Sequence, residues 1–386
     1  MRLGGAERFV LDMALALRTT GWDAHIWVSE HHTTQTFPEA RDGRVPVHAA
    51  SSWIPPGFAG RPRRGLMLAR LRLLLREIAR RTGPPALFVV DDPVHIAAWI
   101  RRRWPHVPIL VHCNYPNAAL PPPANAVHRW YRARLDRLNA EALAAASEVT
   151  AISAFSRAAI QRIWPQFASW AVPVLHPGVA MPGSAALRPP GPEGTILCVS
   201  RLDPSKRPDL AIAAFGQLRG MLPAEHFARC RLVLAGGLDV RHGLAGYPQT
   251  LMKQAGEAGV AGQVDLRANA NEETLARLWA GASVFMHTAP EEHFGIVLIE
   301  AMSRALPVLA VNAAGPKEIV VDGVTGALRP FDPDAFATVL AGWMRDPAAA
   351  RQAGAAGRTR AAEFFSTARF QRNFLTVVEA LLARAV

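Results

Sequence analysis

A chain of 386 residues, half of them hydrophobic, has enough material for two ordinary cores and is not a disordered polymer. Its formal net charge of +12 rests almost wholly on arginine, since Lys206, Lys253 and Lys317 are its only lysines. Such a balance favours anionic partners, whether a membrane surface, a nucleotide diphosphate or a nucleic acid.

From the N-terminus, Gly4-Gly5-Ala6-Glu7-Arg8 has the form of a turn after a first strand, yet only Met1, Arg2 and Leu3 precede it. The expected first strand of the N-terminal domain is therefore missing from the pattern. A helix-like apolar run follows at residues 9–17. Apolar, β-branched runs predict strands at 24–28, 86–90, 109–112, 149–152 and 172–175. Between them, Arg61, Arg63, Arg64, Arg70, Arg72, Arg76, Arg80 and Arg81 surround an apolar stripe of Met67, Leu71, Leu74, Leu75 and Ile78 at helical spacing. Two readings stand: a helix from Arg61 to Arg81 lying on an anionic membrane surface, or a domain helix that buries its leucines. Asp91-Asp92 follows a predicted strand and is assigned to structure. Residues 183–194 are rich in Pro and Gly and read as a linker. Beyond it, strands are predicted at 195–199, 231–235, 264–266, 284–287 and 307–311.

Strands alternating with helices imply parallel sheets covered on both faces. The expected architecture is α/β, with two Rossmann-like domains facing across a cleft. The N-terminal, acceptor-side domain takes residues 1–182 and the C-terminal, donor-nucleotide domain takes 195–365. Residues 366–386 have apolar positions at helical spacing and suit a helix packing back on the first domain. The cysteines Cys113, Cys198 and Cys230 are scattered and form no Cys-x-x-Cys pair, which points to a reducing compartment. No signal-peptide pattern opens the chain, and no run approaches the roughly 18–20 apolar residues of a membrane span. A protein of the cytosol or of a membrane surface is expected.

Chemistry concentrates in two strand-end segments. After the strand at 284–287, residues 292–300 read Glu-His-Phe-Gly-Ile-Val-Leu-Ile-Glu. Gly295 removes a side chain where a ligand approaches the backbone, and the amides opening the next helix suit phosphate. Glu292 stands at the rim of that turn, placed to accept hydrogen bonds from sugar hydroxyls, and Glu300 lies inside the helix, within reach of a ribose. After the strand at 195–199, Arg201 and Lys206 leave one loop at the carboxyl edge of a sheet. Two cations there neutralise a departing diphosphate. Gly236-Gly237 ends another strand and is read as structural, with a place lining the cleft as a second reading.

Glu-His-Phe-Gly-Ile-Val-Leu-Ile-Glu-Ala-Met, followed by Pro-Val-Leu-Ala-Val-Asn and Gly-Pro-Lys-Glu-Ile-Val, resembles glycosyltransferase family 4, the retaining enzymes of the GT-B fold. Gly-Gly-Ala-Glu-Arg-Phe-Val-Leu-Asp-Met near the start, Val-Leu-Ala-Gly-Gly-Leu-Asp at 233–239 and Val-Thr-Gly-Ala-Leu at 324–328 extend the likeness over most of the chain. Within the family they are most similar to the eukaryotic α-1,3/α-1,6-mannosyltransferases of dolichol-linked N-glycan precursor assembly. The resemblance implies catalytic roles for Glu292, Arg201 and Lys206, and donor binding by Gly4, Gly5, Phe294, Gly295, Ile296 and Glu300. It implies GDP-mannose as the donor, no metal or other cofactor, and a short mannosyl-chitobiose on a polyprenyl diphosphate as the acceptor. It also implies a peripheral place on the cytosolic side of a membrane, the endoplasmic reticulum in a eukaryote or the inner membrane in a bacterium. A bacterial-type member using another nucleotide sugar and a non-catalytic nucleotide-sugar-binding scaffold are the alternatives. Nucleic acid is not an expected partner, since no recognition motif accompanies the charge. One position departs from the family: Cys113-Asn114-Tyr115-Pro116 has asparagine where Cys-His-Phe-Pro is the pattern. In an extended segment His112 shares a face with position 114, so His112 either substitutes for that histidine or is structural.

Overall fold

The computed structural model describes residues 5–31, 37–50, 54, 57–58, 61–62, 64–120, 125–183, 194–238 and 243–384. The chain divides into two compact units. The first comprises Met1–Gly178 together with Thr367–Val386, and the second is Val179–Ser366. The segment read as a linker, 183–194, lies outside the described residues except for its two glycine ends.

Among the described residues the first unit opens on a helix, Gly5–Thr19, and residues 1–4, where the missing first strand was expected, lie outside them. β1 (Ile26–Val28) pairs in parallel with β2 (Val47–Ala49), and β3 (Gly57–Phe58) forms a short hairpin with β4 (Arg61–Pro62). β5 (Phe88–Val90), β6 (Ile109–Cys113) and β7 (Glu148–Ala151) make a separate parallel sheet in that order. Every residue of β6 is buried, as a central strand covered on both faces must be. The strand expected at 172–175 is reduced to a bridge between Val174 and Ala151; Pro173 has no amide to donate to a ladder.

The helix Arg64–Arg81 buries Leu71, Leu74 and Ile78 in the core that also holds Val90, Ile109 and Val149. At Leu71, Leu74, Leu75 and Ile78 its apolar stripe therefore faces the core and not a bilayer, which corrects the membrane-surface reading of that segment. Arg70 is drawn inward and donates to the Ser29 carbonyl and to Glu30, while Arg72, Arg76, Arg80 and Arg81 stay exposed. A second core belongs to the chain's far end. Along the helix Thr367–Ala383, Phe370, Phe374, Val378 and Leu381 pack with Phe9, Met13, Leu17, Leu110 and Leu175. The spacing 370, 374, 378, 381 is one helical face.

The second unit is built on a single parallel sheet. Its strands are β8 (Thr195–Val199), β9 (Arg231–Gly236), β10 (Val264–Ala268), β11 (Val284–His287), β12 (Val308–Val311) and β13 (Ala327–Arg329), in the spatial order β10-β9-β8-β11-β12-β13. Counted from β8, this is the 3-2-1-4-5-6 order of a doubly wound sheet. The winding reverses between β8 and β11, and a ligand crevice opens outside the strand ends at that point. The helices Pro208–Met221 and Pro333–Arg345 supply Leu210, Phe215, Leu218, Phe336, Leu340 and Met344 to the core beneath.

Phe374 is fully buried, so Phe374→Ala is expected to cost about 3–5 kcal/mol. Denaturant unfolding followed by a probe in each unit should show the loss in the first unit, with the second unit's midpoint unchanged.

Candidate active site

At the switch point, the loops leaving β8, β11 and β12 are locked together. The β8 loop runs through Leu202, which is buried, into a tight turn, Pro204–Lys206, capped by Asp203. Arg207 then takes a left-handed conformation (φ 52°) at the start of the next helix, held by an ion pair to Asp209 at 2.7 Å and by its guanidinium over the Phe331 ring. Thr288, directly after β11, donates its hydroxyl to the Lys206 carbonyl at 2.8 Å. The Lys206 ammonium in turn donates to Glu292 Oε2 at 2.8 Å. From β12, the Gly315 amide donates to the Glu292 carbonyl at 2.9 Å. Gly236 and Gly237 close the rear of the β8 loop, the Gly237 carbonyl accepting from the Leu202 amide.

Two glycines make this possible. Gly295 sits at φ 102°, where a side chain is strained, and a Cβ there would meet Leu298 at 2.9 Å and the Glu292 side chain at 3.3 Å. At Gly315 the backbone lies so close to the next loop that a Cβ would fall 2.4 Å from the Phe294 backbone.

The electrostatics follow from this packing. Burial alone would raise the Glu292 carboxyl, but His287 and Lys206 outweigh it and hold Glu292 well below the usual carboxylate range. His287 Nε2 stands 3.5 Å away, an ion-pair distance and not a well-formed hydrogen bond. Glu292 is thus fully ionised at neutral pH. Glu300, on the helix Ile296–Ser303, behaves oppositely: burial raises it, and Arg304 offsets only part of the effect. Among the described residues its side chain has no hydrogen-bond partner; the Ser303 hydroxyl and the Arg304 guanidinium bind its backbone carbonyl instead. One carboxylate is compensated and the other waits for a donor.

The other predicted site residues are placed as follows. Arg201 is exposed and among the described residues reaches only Asp203, at 3.2 Å, leaving its guanidinium available at the rim. Phe294 is buried with its ring toward Phe365, so its side chain belongs to the core and only its backbone can meet a ligand. Ile296 is the first residue of the helix after Gly295. Gly4 lies outside the described residues, and Gly5 begins the first unit's opening helix. His112 is enclosed: its ring packs 4.3 Å from Phe9 and Nδ1 meets the Thr150 hydroxyl at 3.0 Å. Burial lowers its pKa to about 3. A neutral imidazole with 1 % of its surface exposed does not touch substrate, so the substituting role for His112 is not supported. Position 114 is occupied instead by a positioned amide, since Asn114 Nδ2 donates to Asp91 Oδ1 at 3.0 Å.

Two participants in this site, and one buried acid of the first unit, escape sequence reasoning. His287 and Thr288 read as the end of a buried strand, and strand-end position is the only signal they leave. Asp91 has the signal of a paired acid after a strand, but its state depends on burial. Burial, then its neighbour Asp92, pushes it up to about 7, with a smaller push from Glu7.

The fold is shared with solved glycosyltransferases. Anabaena HepE in complex with UDP aligns over 98 % of this chain and 96 % of its own at a TM-score of 0.73 and 19 % identity. A sucrose-phosphate synthase from Thermosynechococcus elongatus aligns over 99 % and 94 % at 0.76 and 21 %. Residues 3–181 match the model of Glycosyltransferase Family 4, and residues 184–360 match that of Glycosyl transferases group 1. Two α/β units, the doubly wound sheet and the charged loops at its switch point define a GT-B glycosyltransferase. Among curated proteins, the alpha-1,3/1,6-mannosyltransferase ALG2 of mouse is 30 % identical over 99 % of this chain and 94 % of its own length. The human protein is 29 % identical over 98 % and 94 %, and that of Neurospora crassa 31 % over 88 % and 79 %. The chain belongs to the ALG2 family of alpha-1,3/1,6-mannosyltransferases.

Gly315→Ala is expected to separate the β12 loop from the Glu292 turn and to cost about 1–3 kcal/mol, measured as a lower thermal midpoint of the second unit. In the first unit the pH dependence has a defined sign. The folded state keeps a proton on Asp91 up to about pH 7, whereas the ordinary value is 3.8. Between those values the folded state binds more protons, so this group's contribution to stability falls as pH rises. Asp91→Asn should raise the first unit's melting point at about pH 8 and leave it little changed at about pH 4.

Proposed function

We propose that this chain transfers mannose from GDP-mannose, with retention of configuration, to a lipid-diphosphate-linked oligosaccharide, forming α-1,3 and α-1,6 linkages on the cytosolic side of a membrane. The named activity of its relatives supports the sugar and the linkages. The interlocked Lys206–Glu292 pair at the sheet's switch point is the observation that supports the chemistry.

The donor's diphosphate is the leaving group, and its negative charge grows as the C1–oxygen bond breaks. Lys206 and Arg201 supply two cations at one strand end, where a fixed charge stabilises the transition state most. With phosphate present, the Lys206 ammonium is shared between Glu292 and the diphosphate. Glu292, ionised in advance, accepts hydrogen bonds from mannose hydroxyls and sets the sugar's orientation. The carboxyl group of Glu300, with no donor among the described residues, takes the ribose hydroxyls. The amides opening the helix Ile296–Ser303 face the phosphates, an arrangement favourable to anions.

Retention by double displacement uses a free carboxylate as nucleophile. Glu292 is occupied by Lys206, which favours departure and attack on one face of the sugar. The C1–O bond to the diphosphate breaks with its electron pair leaving on oxygen. The acceptor hydroxyl forms the new C1–O bond, and its proton passes to a phosphate oxygen, giving GDP. Two protein cations meet the diphosphate charge, and in this reading no metal is required.

A donor screen with GDP-mannose, UDP-glucose and UDP-GlcNAc against a mannosyl-chitobiose lipid acceptor is expected to give product from GDP-mannose alone, undiminished by EDTA. Glu292→Ala and Lys206→Ala should each lower kcat by ~100-fold or more, while Glu300→Ala acts mainly on the donor KM. Undiminished transfer by Glu292→Ala would overturn the assignment, and product from a UDP-sugar would reassign the donor.

A further inference from the structure

The helix Ala126–Ala144 enters the core at one end only. Ala142 and Leu143 are its buried residues, and they join the core around β6 and β7. The turns before them project a different surface. Val127 is 70 % exposed, Trp130 64 % and Leu138 39 %, with Leu120 also exposed just ahead of the helix. Residues 127, 130, 134, 137 and 138 fall on one helical face. Arg134 lies one turn beyond Trp130 with its guanidinium 5.9 Å from the ring centre, and Arg137 stands exposed beside Leu138. Asp136, on another side, faces Arg132 at 3.9 Å; Glu141, one turn beyond Arg137, is an exposed acid on the same face at its far end.

The helix is also held in a fixed orientation. Asn125 caps its start by accepting from the Val127 amide at 2.8 Å, and Arg132 ties it back to the preceding loop through the Asn117 and Leu120 carbonyls. An exposed tryptophan costs solvation unless something apolar covers it, and an indole with a guanidinium group against it matches the boundary between acyl chains and anionic headgroups. A protein partner of core-like apolar character would leave those arginines unpaired. A phosphate-rich lipid surface pairs them.

We propose that the face formed by Val127, Trp130, Arg134, Arg137 and Leu138 is the surface by which this protein docks on an anionic phospholipid bilayer. The helix lies between β6 and β7, so its exposed N-terminal end is at the carboxyl edge of the parallel sheet, where Asp91 and Asn114 also lie. Docking there brings headgroups to the sheet edge where α/β units bind ligands. The significance for a lipid-linked acceptor rests on the function proposed above; the docking itself does not.

The test is co-sedimentation of the full chain with vesicles of phosphatidylcholine, with and without phosphatidylglycerol, together with transfer to a short-chain, water-soluble acceptor. The wild type is expected to bind the phosphatidylglycerol vesicles and to release as salt rises. Trp130→Ala combined with Arg134→Glu should weaken that binding by about tenfold or more, with transfer to the soluble acceptor unchanged. Arg76→Glu, on the exposed side of the helix Arg64–Arg81, should change binding little. Equal vesicle binding by the double variant, or a larger loss with Arg76→Glu, overturns the proposal. So does a wild-type dimer in analytical ultracentrifugation that Trp130→Glu dissolves, since the face would then belong to a second copy. Absence of transfer by a wild type that binds vesicles counts against the proposed function and leaves the docking surface standing.

Discussion

The ion pair between Lys206 and Glu292, 86 positions apart in the chain, is the contact on which the second unit's site depends. Each side chain is less than one-fifth exposed, and a carboxylate so enclosed is stable only if its charge is compensated. Its compensation comes from the β8 loop, and its backbone is held from the β12 loop through the Gly315 amide. Thr288 returns the constraint by fixing the Lys206 carbonyl. Neighbouring strand ends of one sheet thus determine one another's position, and the charge requirement of a single carboxylate organises the crevice.

That arrangement has a chemical consequence. Glu292 is charged before any ligand arrives, because the neighbours that hold it are part of the fold. Glu300 is the complement: burial discourages its charge, Arg304 offsets only part of that, and no donor among the described residues bonds its carboxyl group. The two acids of the Glu-x7-Glu segment are therefore inequivalent. Their spacing in sequence says nothing of the difference; the partners at the first and their absence at the second produce it.

Arginine plays different parts on two helices of the first unit. In the helix Arg64–Arg81 the arginines surround a leucine stripe that is committed to the core, whereas along Ala126–Ala144 the aromatic and aliphatic residues themselves are exposed. An amphipathic pattern reports that a helix has an apolar side, not whether protein, lipid or a second chain covers it. The first helix has the stronger basic-amphipathic signature in sequence, yet its apolar side is already occupied.

Sequence alone determined the α/β class, most strands and the segments that carry the site. Strands buried on both faces need unbroken apolar runs, and strand-end loops that bind anions need Gly and basic residues at short range, so both leave local traces. The runs at β8 and β11 coincide with the observed strands, while β2 and β13, three residues each, leave too little pattern to detect. Tertiary structure decided the rest. Only the 3-2-1-4-5-6 strand order brings the loops of β8 and β11 side by side. Only packing shows that His112 is sealed against Phe9, that Phe294 points into the core, and that Asp91 is raised to about 7. Burial and charge pairing are properties of neighbours distant in sequence, and no local pattern records them.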